Sequence, residues 1–174
     1  ERVFFVAVRN DIDVPPLKLA PTHRWISAGE ATSDVQVLTD EEKHDSRPRE
    51  SDLLWWKDTP QGESYGKAVA KVRGKESLFQ HARLHQSRPA PTLSANSHVF
   101  THWSECRKLT YREWKRLGSF PDDYHAKTDK IGKYMIGMSV PPKMTEQVAR
   151  AVCEQWLNVN YSELSNDNQA KNPH

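Results

Sequence analysis

Residues 131–142 read IGKYMIGMSVPP. Two glycines stand five positions apart in a chain that holds only seven, and a Met-Ser pair and a double proline follow. A glycine pair just ahead of a helix marks backbone that something approaches too closely for a side chain. Gly132 suits the turn before the helix, and Gly137 suits the close approach. Pro142 fits a first helical turn, where its missing N–H costs nothing. Beyond it Met144, Val148, Val152 and Trp156 recur at steps of four, with Ala149 and Cys153 beside them, which predicts one apolar helix face. The spacing Gly132-x-x-x-x-Gly137 is that of a phosphate loop, but Met138-Ser139 stands where such a loop has Lys-Ser or Lys-Thr, so that reading is excluded.

Working outward, Thr110-x-x-Glu113 is a capping box, with Trp114 and Leu117 as the buried stripe of its helix and Gly118 at the position after the last turn. Residues 92–94 and 98–100 read as two short strands around an Ala-Asn-Ser turn, and residues 78–84 as a short helix or turn. Residues 67–75 alternate as Lys-Ala-Val-Ala-Lys-Val-Arg and predict a basic-edged strand. Leu53-Leu54-Trp55-Trp56 is a short core element. Residues 11–53 are rich in proline and acids and predict loops with short strands, with 39–49 the most mobile piece. Residues 3–8 are apolar without alternation, which suits a strand buried on both faces of a parallel sheet.

Of the 174 residues, 36% are hydrophobic and 28% charged, and no apolar run nears the ~18 residues of a membrane span, so no membrane role is expected. The chain opens Glu-Arg-Val-Phe-Phe-Val, already inside an apolar run, which reads as the start of a piece of something longer. Two cysteines, Cys106 and Cys153, suit a reduced intracellular protein better than a disulfide scaffold. The net charge of +2 hides an asymmetry: residues 10–53 carry five basic and ten acidic side chains, whereas residues 54–135 carry fifteen basic and eight acidic. The second stretch could face a polyanion or be an unevenly charged solvated surface. His81-x-x-x-His85 and His98-x-x-x-His102 have a possible metal spacing, but lack the Glu of H-E-x-x-H and a nearby Cys pair, so no metal is expected. Cys106, beside Arg107 and Lys108, could have a lowered pKa, although a structural role is the simpler reading; Cys153 reads as core. No Ser sits in a G-x-S-x-G elbow. Residue by residue, then, the chain is an α/β protein with a basic half and no complete active site.

Several blocks together, in order, resemble the C-terminal part of DNA (cytosine-5)-methyltransferases. Residues 1–9, Glu-Arg-Val-Phe-Phe-Val-Ala-Val-Arg, look like motif VIII, an arginine running into a core strand. Arg88-Pro89-Ala90-Pro91-Thr92 is the R-P-x-x-T of motif IX. Leu109-Thr110-x-Arg112-Glu113, then Leu117-Gly118-Ser119-Phe120-Pro121-Asp122-Asp123-Tyr124, is the approach to motif X, and Ile136-Gly137-Met138-Ser139-Val140-Pro141-Pro142 is similar to motif X itself. The likeness covers residues 1–9 and about 88–157 and thins between them, where the family places its variable target-recognition region.

The resemblance implies an α/β fold, the C-terminal portion of an S-adenosylmethionine-dependent methyltransferase fold, with a small, mostly β target-recognition domain. It divides the chain into a catalytic-domain strand (1–12), the target-recognition domain with motif IX (13–108), the return to the catalytic domain (109–160) and a disordered tail (161–174). In such enzymes a cytosine leaves the duplex, a thiolate attacks its C6 and the methyl comes from S-adenosylmethionine. Arg2 would then help hold the flipped base, and Gly137, Met138, Ser139 and Val140 would lie at the cofactor. Arg88 and Thr92 would organise the recognition region and touch DNA. Lys67, Lys71, Arg73 and Lys75 would meet phosphates, and Gln61, Ser64, Gln80, His81, Arg83, Asn96 and His98 are candidate base readers. For each of these a plain surface role remains open, as does core packing for Trp55 and Trp56. Three family features are absent: neither cysteine follows a proline, there is no Phe-x-Gly-x-Gly cofactor loop, and there is no Glu-Asn-Val acid. The implied partners are therefore double-stranded DNA and an N-terminal catalytic portion or subunit, in a cytoplasmic restriction-modification setting of prokaryotic or phage type. A catalytically inactive sequence-specific DNA-binding module is the alternative. Family members usually carry Asn where this chain has Met138.

Overall fold

A computed structural model of the chain describes residues 3–20, 24–75, 81–96 and 99–157. They fall into two compact units. One takes in residues 24–141; the other joins the first 23 residues to the stretch from Pro142 onward.

The larger unit holds, in order, α1 (Ala28–Ala31), α2 (Asp40–Asp45), α3 (Glu50–Trp55), α4 (Tyr65–Arg73), β1 (Ala82–Arg83), β2 (Phe100–Thr101), α5 (Tyr111–Leu117) and α6 (Asp129–Met138). Side-chain caps start most of these helices. Ser27 accepts from the Glu30 amide, Thr39 from Glu42, Thr110 from Glu113 and Thr128 from Ile131. At Thr39 and Thr110 the glutamate reaches back to close a capping box. β1 and β2 pair in parallel, with Ala82 opposite Phe100 and Arg83 opposite Thr101. The core lies around this pair: Leu84, Val99, Phe100, Trp103, Leu109, Trp114 and Ile136 are buried against one another. Trp114 is wholly buried, and its indole Nε1 donates to the Lys133 carbonyl at 3.2 Å.

In the smaller unit α7 (Pro142–Trp156) starts at the second proline, as expected. Its face is less buried than the pattern predicts: Ala151 is buried, Val148, Val152 and Cys153 are half-buried, and Met144 is exposed. The Gln155 amide exchanges two hydrogen bonds with the Lys18 backbone, 2.9 and 2.8 Å, and the Trp156 indole donates to the Pro15 carbonyl at 2.8 Å.

The mixed helix and strand content agrees with the α/β expectation, but among the described residues helix dominates and the sheet is two residues deep. The mostly β small domain is therefore not found there. Of residues 67–75, expected as a strand, 67–73 lie in α4, because Tyr65, Ala68 and Val69 are buried at helical spacing and Gly74 ends the helix in the left-handed region at φ 67°. Residues 39–49 hold α2 in place of a mobile loop. Leu53 and Leu54 belong to α3 and are exposed, while Asp52 of the same helix is fully buried. Residues 92–94 are not a strand, and the second strand begins at Phe100. Of 78–84, residues 78–80 lie outside the described residues and Ala82–Arg83 is β1. Gly132 sits inside α6, not in a turn before it. Ser119, not Gly118, takes the left-handed conformation after α5, at φ 58°. Residues 3–8 form no strand, because no described segment offers them a hydrogen-bonding partner; Val3 and Phe5 are exposed. The 161–174 tail lies outside the described residues.

Candidate functional site

The two glycines of residues 131–142 face the interior of the larger unit on one side of α6. A Cβ built on Gly132 would lie 2.4 Å from the Tyr111 ring, and one on Gly137 would lie 2.0 Å from the Ser94 carbonyl oxygen and 2.5 Å from the Ala95 nitrogen. What approaches Gly137 in this structure is thus the chain's own backbone, just past the R-P-x-x-T stretch. The segments that resemble motifs IX and X are locked together at this point. The outward side of α6 carries Ile131, Tyr134, Met135 and Met138, all exposed. Ser139 caps the helix end, its hydroxyl donating to the Met135 carbonyl at 2.7 Å, and Val140 is half-buried. Of the four residues assigned to the cofactor, Met138, Ser139 and Val140 present surface and Gly137 is buried.

The R-P-x-x-T stretch is pinned to the start of α1: the Ala28 amide donates to the Arg88 carbonyl at 2.8 Å, and Gly29 to that of Gln86 at 2.9 Å. The Arg88 side chain is exposed and passes over Gly62, whose φ of 83° needs no side chain. Thr92 and Asn96 are also exposed. Between the two pinned segments lies a pocket of 410 Å³ lined by Arg24, Trp25, Ser27, Gln86, Ser87 and Pro89, with Gly29 and Glu30 behind. Trp25 is 82% exposed.

The basic residues of α4 point outward. Lys67 and Lys71, one turn apart, are exposed, with Lys67 paired to Glu63. Lys75 is exposed beyond the Gly74 cap. Arg73 is exposed too, but its guanidinium lies 5.6 Å from the centre of the Trp55 ring. Arg83 is different. Its guanidinium stacks on the Trp56 ring at 3.8 Å, its Nε donates to the Trp103 carbonyl at 2.8 Å and its Nη1 to the Thr59 carbonyl at 3.0 Å. Arg83 therefore braces the fold between β1 and α3, and base reading by it is not what this geometry offers. Gln61 is likewise engaged, its Oε1 accepting from the Gln86 amide at 3.1 Å. Ser64 is the N-cap residue of α4, and His81 is half-buried beside Arg49. Arg2, Gln80 and His98 lie outside the described residues.

The larger unit also holds an ionic cluster of which the sequence marks only Glu113, through its capping box. The Arg107 guanidinium forks onto both oxygens of Glu113 at 2.8 Å and reaches Glu105 at 2.7 Å. Burial alone would raise the Glu113 carboxyl, but the Arg107 fork outweighs it and holds the pKa below the usual value. The His102 ring is buried and stacked on Trp103 at 3.8 Å between ring centres. Its Nδ1 accepts from the Ser104 and Glu105 amides, both at 3.3 Å, so the proton sits on Nε2, 3.7 Å from Glu113. Burial and then Arg107 push this imidazole down to about 4. Burial, with Asp52, raises the Cys106 thiol, so the neighbouring basic pair does not activate it. No group of three or more metal-ligating side chains occurs among the described residues.

Residues 1–154 match the family model described as C-5 cytosine-specific DNA methylase. Type II methyltransferase M.BbvI of Brevibacillus brevis is 29% identical over 178 residues, covering 94% of this chain and 47% of its own length. Putative type II methyltransferase M.MJ0563P of Methanocaldococcus jannaschii is 39% identical over 93 residues, 52% of this chain and 30% of its own length. Type II methyltransferase M.AquIB of Picosynechococcus is 34% identical over 92 residues, 45% of this chain and 66% of its own length. The chain thus spans about half the length of M.BbvI, and the match to M.MJ0563P about a third of that relative.

Proposed function

The chain belongs to the C-5 cytosine-specific DNA methylase family, and on that premise we propose that it is the C-terminal portion, or one subunit, of a DNA cytosine-5 methyltransferase that recognises a DNA sequence. The observation that carries this reading is the junction at Gly137. It seats the motif X-like stretch against the segment after Arg88-Pro89-Ala90-Pro91-Thr92, which supports reading a cofactor-side turn next to part of a recognition region. Residues 13–108 then carry recognition and 109–160 the return to the catalytic domain.

The residues present fit one wall of an S-adenosylmethionine site. Met138 and Val140 offer apolar surface and Ser139 a hydroxyl at a helix end, while Gly137 contributes by letting the helix seat against Ser94. When bound, S-adenosylmethionine supplies the methyl group. This chain's part is to close the site and to hold the DNA. Arg2 is assigned to the flipped cytosine by its place in the motif VIII-like stretch. Lys67, Lys71, Arg73 and Lys75 meet the phosphate backbone, Arg88 and Thr92 contact DNA from the motif IX-like stretch, and Asn96 reads a base edge. With neither cysteine following a proline, the nucleophile belongs to the N-terminal catalytic portion or subunit. Double-stranded DNA is the substrate, and the setting is a cytoplasmic restriction-modification system.

Duplex binding measured against salt tests this. The wild-type chain is expected to lose affinity steeply as salt rises. Lys67→Ala with Lys71→Ala is expected to lower the slope of log affinity against log salt by about 1 for each phosphate no longer neutralised. Absence of duplex binding at low salt would count against any DNA role. Methyl transfer from labelled cofactor by this chain alone would overturn the assignment of the nucleophile to a partner.

A further inference from the structure

The pocket beside Trp25 takes no part in the assignments above. An indole 82% exposed stands at its mouth, with Pro89 beside it as apolar wall. The polar side is made by Ser27, Ser87 and Gln86. Arg24 is spoken for: its Nη1 donates to Glu30 at 2.9 Å and its Nη2 pairs with the other carboxylate oxygen. The two charges cancel, so the pocket offers an aromatic face and neutral hydrogen-bonding groups, with no net attraction for phosphate. Its parts are held in place. The Gln86 backbone is fixed at both ends, its amide donating to Gln61 at 3.1 Å and its carbonyl accepting from Gly29 at 2.9 Å. The Gln86 stem lies so close to Gly29 that a Cβ there would stand 2.7 Å from Gln86 Cγ.

We propose that this pocket seats a nucleobase of the bound DNA that has left the duplex stack, with Trp25 on its face and Gln86 on its edge. The proposal rests on the DNA-binding reading above. Stacking on an exposed aromatic ring tolerates any base, since every base has a π-face. A glutamine amide pairs best with the N6 and N7 edge of adenine, so Gln86 supplies the preference. Electroneutrality is what separates this site from the basic α4 surface: one takes a base, the other the backbone.

The test uses the full chain, a pool of duplexes randomised over the binding site, and single-stranded dA and dT 20-mers as probes. Trp25→Ala is expected to weaken binding of both probe types roughly ten-fold or more, and Trp25→Phe to retain most of it. Gln86→Ala is expected to erase the preference at one position of the selected duplexes and leave the others unchanged. Both side chains are exposed, so thermal melting of the variants stays at the wild-type value. If Trp25→Ala binds as wild type while Lys67→Ala with Lys71→Ala still lowers the salt slope, the base pocket is overturned and the duplex reading stands. If wild type binds neither probe at low salt, both fall.

Discussion

Gly137 shows how a single hydrogen atom at Cα decides a packing. In a helix interior alanine is better than glycine by about 1 kcal/mol, so Gly137→Ala would stabilise α6 if nothing else mattered. The new methyl would meet the Ser94 carbonyl at 2.0 Å, and a peptide group cannot swing aside as a side-chain tip can. Overpacking of this kind costs about 1–3 kcal/mol, sometimes more, so Gly137→Ala is expected to lose about 3 kcal/mol and to melt several degrees lower. Gly132→Ala, against the Tyr111 ring, is expected to lose somewhat less, about 2 kcal/mol. A raised melting temperature for either variant would contradict the packing. That something must come close to Gly137 was legible in the sequence. That the neighbour is the peptide at Ser94 was not, because the two are far apart in the chain and no periodicity links them.

At the level of elements, the caps were the readable signals. Thr110-x-x-Glu113 opens α5, as its pattern predicts. Thr39-x-x-Glu42 is the same signature, but no apolar stripe follows it, so the acid-rich stretch resembles a loop. α2 buries none of its residues and is held through Glu42, which takes two hydrogen bonds from Arg112 at 3.1 and 3.0 Å. The α4 stretch misleads because Lys-Ala-Val-Ala-Lys-Val-Arg alternates while also placing Tyr65, Ala68 and Val69 on one helical side. The outward lysines can be named from charge alone. The inward turn of Arg83 cannot, since it depends on where Trp56 and the Trp103 carbonyl stand. The segment between β2 and α5 sets a pH dependence. His102 has a folded pKa of about 4 and an ordinary value near 6.5, so between these the unfolded chain binds the extra proton. Stability from this group is therefore complete above about pH 6.5 and is lost as pH falls toward 4, at up to ~1.4 kcal/mol per unit. Denaturant unfolding at a series of pH values should show this slope, and His102→Gln should flatten it. A slope unchanged in His102→Gln would assign the acid sensitivity elsewhere.

For the molecule as a whole, the apolar residues that lack cover bear on behaviour in solution. Val3, Phe5, Val6 and Val8 are all exposed in a stretch without regular structure, and unpaired apolar backbone of this kind invites association. The chain on its own is expected to self-associate as concentration rises, and Phe5→Lys to reduce this in light scattering without altering the thermal midpoint of the larger unit. Equal scattering from both would remove the stretch as the cause. The Arg107–Glu113 pair has a different reach. Glu113 serves two masters, receiving the Arg107 fork and closing the α5 capping box through the Thr110 amide at 2.8 Å. Losing either partner strands a buried charge, at about 3–5 kcal/mol, whereas exchanging both for apolar groups that fill the same volume strands no charge and leaves the Thr110 amide without its acceptor, at about 1–3 kcal/mol. A drifting gene therefore meets a valley between two viable states, and these two positions should show positive epistasis in a deep mutational scan, each nearly immutable until the other has changed.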